Sequence, residues 1–192
     1  SILALKEKVD LVEVKKFLGS QKAGLRALGA ELVQVNDRKE DAEFLLPLLK
    51  DPHAEVRKAA LESLFFLRVP ESSTRLIGDP DPEVAITASA LLMLTDPKGG
   101  QEAITPFLKS PHEELRLYAA AALRGAGKYG FPLTLSAFKE TTDPFVKINL
   151  ALALIDERVK PELGAEAIYN EVMHGQRKLM PSSWGPFLGI GP

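Results

Sequence analysis

Three histidines and a few arginines are the side chains in this sequence best suited to chemistry. His53 and His112 each follow an Asp-Pro or Ser-Pro pair and precede a run that mixes charged and apolar residues. His112 with Glu113 sets an imidazole beside a carboxylate, and both are ligand types for a metal ion. His174 stands where a helix is expected to end, and a cation suits that end of the helix dipole. Arg57 and Arg116 could grip a phosphate or a partner's carboxylate with a planar guanidinium. The competing role for both is a stacked Asp–Arg ladder that ties turns to helices. "RGAGKYG" from Arg124 holds glycines and a lysine. It lacks the spacing of a phosphate-cradling loop and reads as a connection between helices. No Ser-His-Asp set or metal-spaced cluster stands out, and there is no cysteine, which excludes a thiol nucleophile and a disulfide framework. The expectation is therefore no catalytic residue, no metal and no cofactor.

The elements that would position these residues emerge from an internal repeat. "LLPLLKDPHAEVRKAALESL" from Leu45 aligns with "TRLIGDPDPEVAITASALLML" from Thr74 and "ITPFLKSPHEELRLYAAAAL" from Ile104. A weaker copy, "LSAFKETTDPFVKINLALAL", starts at Leu135. The first apolar residues of the second segments are Val56, Val84, Leu115 and Val146, at steps of 28, 31 and 31. A further step back of 31 reaches Leu25. Four residues past these anchors stand Gly29, Ala60, Ala88, Ala119 and Leu150, mostly small, as closely packed helices require. Eight past stand Val33, Leu64, Leu92, Leu123 and Leu154, all apolar; eight before stand Phe17, Leu48, Leu76, Phe107 and Phe138. The pattern predicts helix pairs, each a short first helix, a tight Pro-containing turn and a second helix rich in Ala and Leu. Pro82 suits the first turn of its helix, where the amide has no partner.

The motif "LLPLLKDPxxEVRxAAxxxL" resembles the HEAT repeat, in particular the short bacterial type also found in phycobilin lyases. Pro47 and Pro106 inside first helices fit that family, as does an Asp six residues before an Arg, here Asp51 and Arg57. That pair decays to Asp79 with Ala85, Ser110 with Arg116, and Thr141 with Lys147. The resemblance covers about residues 10–156. It implies an all-α fold, a right-handed α–α superhelix of about five helix pairs plus a C-terminal helix. One array is expected over 1–192, with repeats near 2–36, 40–68, 72–95, 100–126 and 131–156. A further helix is expected over 160–174 and an irregular apolar tail over 176–192. Ile2, Leu3 and Leu5 at one end, and Trp184, Phe187, Leu188 and Ile190 at the other, leave both ends without a polar cap. The expectation is a piece of a longer protein.

The resemblance also names enzymes. His112-Glu113 is similar to the His-Glu pairs of the HEAT-repeat iron hydroxylase deoxyhypusine hydroxylase, but that family uses several pairs. Two stacked repeats separate His53 from His112 by roughly 20 Å at about 10 Å per layer, too far to share one ion. Both are read as exposed capping residues. A HEAT-like DNA glycosylase would need a basic concave face.

The face opposite the buried stripe reads otherwise. On a helical wheel it carries Lys58, Phe65, Ile86, Met93, Leu117, Ile148 and Ile155, with Glu31, Glu62 and Leu152 at a flanking position. It is polar at the N-terminal end and apolar from Phe65 onward, with no charge between Val84 and Leu94. In HEAT arrays this side faces the concave surface. Phe65, Ile86, Met93, Leu117, Ile148, Leu152 and Ile155 are thus the candidate binding residues, for a protein or peptide partner. The competing occupant is the chain's own tail with Trp184 and Phe187. The alternative function is an enzyme or enzyme subunit of the phycobilin-lyase or metal-hydroxylase kind.

Composition agrees with a globular repeat chain. Of 192 residues, 45% are apolar and 26% charged, with a net charge of −2. A duplex-DNA binder draws its affinity from a basic excess that is lacking here, so no nucleic-acid partner is expected. No apolar run is long enough to span a bilayer. The compartment is not decided by composition.

Overall fold

A computed structural model describes residues 9–156, and among these every regular element is helical. The expected helix at 160–174, the tail with Trp184 and Phe187, and the apolar start lie outside the described residues. The chain divides into two compact units, 1–88 and 89–192, with the division inside one helix.

The first unit holds α1 (Leu11–Leu18), α2 (Ala23–Val35), α3 (Ala54–Phe66) and the start of α4 (Pro82–Leu92). The second helices of its repeats stack directly, α2 on α3. Gly29 permits the α1–α2 approach, since a β-carbon there would lie 2.9 Å from both the Leu18 amide nitrogen and the Phe17 Cβ. Between α2 and α3, and again after α3, the first segments are not α-helices. They are 3₁₀ turns at Lys39–Phe44, Leu46–Lys50 and Pro70–Leu76. Proline accounts for part of this: Pro47 and Pro70 lie at the starts of their segments and supply no amide. In the third repeat length adds to this, because that repeat is three residues short of its neighbours, nearly one helical turn. α3 ends with Arg68 in the left-handed region (φ 64°), where the Val69 amide reaches back to the Leu64 carbonyl at 2.9 Å.

The second unit holds the end of α4, then α5 (Pro97–Leu108), α6 (Glu113–Ala122), α7 (Phe131–Glu140) and α8 (Pro144–Asp156). α5 packs on α6 and α7 on α8, while α6 and α8 stack as successive second helices. Asp96 caps α5 by accepting the Gly99 amide at 3.0 Å. The glycine-rich stretch after Arg124 becomes a connection with a short 3₁₀ turn at Gly127–Tyr129, as expected.

The register predicts the core. Val33, Leu64, Leu92, Leu123 and Leu154 are all buried, as are Gly29, Ala60, Ala88, Ala119 and Leu150. The anchor Leu25 differs from Val56, Val84 and Val146: it keeps 36% of its surface, whereas they are at most 2% exposed.

Candidate functional site

Arginines stand one residue past three of the five anchors, two in the first unit and one in the second, and each is held at several atoms. Arg26 Nε donates to Asp51 Oδ2 at 2.7 Å, and Nη2 donates to Asp51 Oδ1 at 2.9 Å. Its Nη1 donates to the carbonyls of Ser20 and Gln21. Arg57 repeats the arrangement one repeat on, with Asp79 at 2.8 and 2.6 Å and the carbonyls of Asp51 and Pro52. Arg116 does so in the second unit, with Asp143 at 2.8 Å and the carbonyls of Ser110 and Pro111. Each arginine thus closes its own turn through carbonyls and reaches the following turn through a carboxylate.

This corrects the expected pairing. Asp51 is not the carboxylate partner of Arg57; it serves Arg26, and Arg57 serves Asp79. Nor is Arg116 left with Ser110 alone. Its partner Asp143 stands at the helix-capping position, two residues after Thr141. In the third repeat two aspartates divide the work: Asp79 takes the arginine, and Asp81 accepts the Glu83 and Val84 amides. Asp143 does both, since Oδ1 accepts the Phe145 and Val146 amides while Oδ2 takes Arg116. Guanidinium groups committed to fixed carboxylates and carbonyls are poor phosphate readers, and for Arg26 four of the five N–H donors are spent on carboxylate and carbonyl oxygens.

Electrostatics follow the ladder. The Arg26 hydrogen bond holds the Asp51 carboxyl at about 2, against the opposing effect of burial. For Asp79 and Asp143, partial burial alone would raise the carboxyl, but the arginine and backbone amides outweigh it and both lie below the usual range.

His53 and His112 sit at the N-caps of α3 and α6, both exposed, but neither side chain caps its helix. His53 Nδ1 lies 3.2 Å from Arg26 Nη2 and 3.3 Å from Asp51 Oδ1, so the ring joins the rung instead. His112 receives only a backbone tie, its amide donating to Ser110 Oγ at 3.1 Å. His174 lies outside the described residues.

The candidate binding residues divide by burial. Ile86 and Met93 are 0% exposed and Leu117 is 8% exposed. Every residue from Val84 to Met93 is buried. A helix apolar on all sides goes to the interior, so Ile86 and Met93 are core rather than contact surface. Phe65 in the first unit, and Ile148, Leu152 and Ile155 in the second, keep part of their surface. The last three form one stripe on α8, opposite a stripe of Val146, Leu150, Ala153 and Leu154 that is at most 2% exposed.

One polar residue of this face acquires unexpected character. Burial pushes the Glu62 carboxyl up to about 7; Lys58 pulls it down and Glu31 adds to the rise. Lys58 itself pairs with Glu83 at 3.2 Å. The repeat register places Glu31 and Glu62 at equivalent positions but gives no reason to expect a carboxyl titrating near neutrality.

No curated protein matches this chain. The family model of the HEAT repeat matches residues 43–65, the segment that carries Pro47, Asp51 and Arg57. HEAT repeats build helical scaffolds that often mediate protein interactions. With the all-helical structure of the described residues and the repeat register, this match identifies residues 43–65 as a HEAT repeat.

Proposed function

We propose that the chain is a non-catalytic HEAT-repeat scaffold that binds a protein or peptide partner through the apolar, part-exposed face of its second helices. The observation that carries this reading is the stripe of Ile148, Leu152 and Ile155 on α8. These residues follow i, i+4, i+7 spacing and so share one face. The opposite face of the helix is already spent on the core, so the stripe is not needed to hold the unit together. Phe65, with exposed Phe66 beside it, is the corresponding feature of the first unit. Leu117, with little surface left, would serve as a floor rather than an anchor.

An amphipathic helix laid against such a stripe is the simplest occupant. Burying each apolar side chain contributes about 1.5–3 kcal/mol, so two or three contacts dominate a modest interface. Panning a displayed peptide library on the purified chain supplies a ligand while the natural partner is still unidentified. Ile148→Glu with Ile155→Glu should abolish binding of the selected peptides and leave the helical circular dichroism intact. Undiminished binding by the folded double variant would move the working surface elsewhere, to the turns around His53 and His112.

A further inference from the structure

In the second unit a cleft of about 290 Å³ opens between the C-terminal half of α5 and the length of α7, beside the turn into α8. Its apolar wall is Leu108, Leu133, Ala137 and Val146. Its polar lining is biased toward acceptors. Thr105 Oγ1 spends its single proton on the Gln101 carbonyl at 2.6 Å. Ser136 Oγ spends its proton on Glu140 Oε1, also at 2.6 Å. Both hydroxyls therefore offer only lone pairs to the cleft, and the Glu140 carboxylate offers more. Two helix C-termini end here, at Leu108 and Glu140, and each brings partial negative charge. Opposing this are Lys109, at the exposed C-cap of α5, and the hydroxyl proton of Thr141, whose oxygen accepts the Asp143 amide at 3.2 Å.

An aliphatic wall rimmed by acceptors matches a long apolar stem that ends in a cationic donor. We propose that the α5–α7 cleft binds a lysine or arginine side chain of a partner segment, its stem against Leu108 and Leu133 and its head on Glu140, Ser136 and Thr105. This surface shares no residue with the α8 stripe, so its failure leaves the scaffold reading standing.

The test is amide chemical-shift titration of the full chain with blocked lysine (N-acetyl, N-methylamide) and blocked norleucine, which keeps the stem and lacks the ammonium. Blocked lysine should shift Thr105, Ala137 and Thr141 saturably, with a dissociation constant on the order of millimolar. Norleucine should bind about five-fold more weakly, the scale of one partly exposed charge contact. Glu140→Gln should weaken blocked lysine by a similar factor, and Lys109→Gln should leave it equal or tighter. Because both residues are exposed, the fold should survive, as the remaining amide spectrum checks. Equal binding of norleucine, an unaffected Glu140→Gln variant, or no saturable shift would overturn the proposal. Tighter binding of free pentylamine than of blocked lysine would assign the cleft to a small amine and overturn the peptide occupant.

Discussion

At the scale of single residues, the carboxylates of the ladder and Glu62 pull stability in opposite directions as pH changes. Asp51 has a folded value near 2 against an ordinary 3.8. It therefore stabilises the fold fully above pH about 4, and that contribution is lost as pH falls toward 2. Its size is at most about 2 kcal/mol, less to the extent that water screens the pair. Denaturant melts between pH 5 and 2 should show this loss, and Asp51→Asn should flatten it; an unchanged slope would mean the rung is not what holds that carboxyl down. Glu62 has the opposite sign. Its folded value near 7 lies above the ordinary 4.5, so its contribution is complete at low pH and disappears as pH rises through 7. Glu62→Gln should stabilise the protein at pH 8, by up to about 3 kcal/mol, and do nothing at pH 4. A gain that is equal at both pH values would point to packing rather than charge. Arg57 is 9% exposed. Arg57→Ala should cost about 3–5 kcal/mol by stranding Asp79, and the Arg57→Ala, Asp79→Ala pair should cost clearly less than the sum.

At the scale of elements, the second helices were legible, while of the first segments only α1, α5 and α7 take the expected α-helical form. The position eight past each anchor is apolar in all five repeats and buried in all five, because a helix face has to meet the core at a fixed period. Leu92→Ala should therefore destabilise by about 2–5 kcal/mol, and an unshifted denaturant midpoint would place that helix outside the core. Gly29→Ala should also destabilise, despite the better helix propensity of alanine, because its β-carbon meets the α1 backbone. In the third repeat the geometry of the first segment also depends on how few residues remain to cross it. Three residues fewer before Val84, and a proline at the start, leave a 3₁₀ turn. The ladder was half legible. Arg26, Arg57 and Arg116 occupy one register position in plain view. Their carboxylate partners lie 22–27 residues away, and only three-dimensional stacking brings them together. For the apolar face, type was readable but exposure was not: Ile86 and Ile148 hold the same register position, and one is in the core while the other is half-buried.

At the scale of the whole chain, that difference sets how much of the fold each position carries. Ile86→Glu should unfold or strongly destabilise the first unit, since an ionised carboxylate would lose its water in a fully buried position. Ile148→Glu should be far milder, and thermal melts of the two single variants give the comparison. The ladder has another consequence, for how such a chain can gain and lose length over generations. Each rung joins an arginine of one repeat to a carboxylate of the next, always in the same direction. Deleting residues 27–57, one full period of 31, would bring Arg26 into the place of Arg57 and set it against Asp79. The excised piece takes one ladder arginine, Arg57, and one ladder aspartate, Asp51, with it, and the new junction is already matched. Duplication and loss by whole periods are thus the edits that the chain's own charges tolerate, whichever period is removed or copied between Arg26 and Asp79.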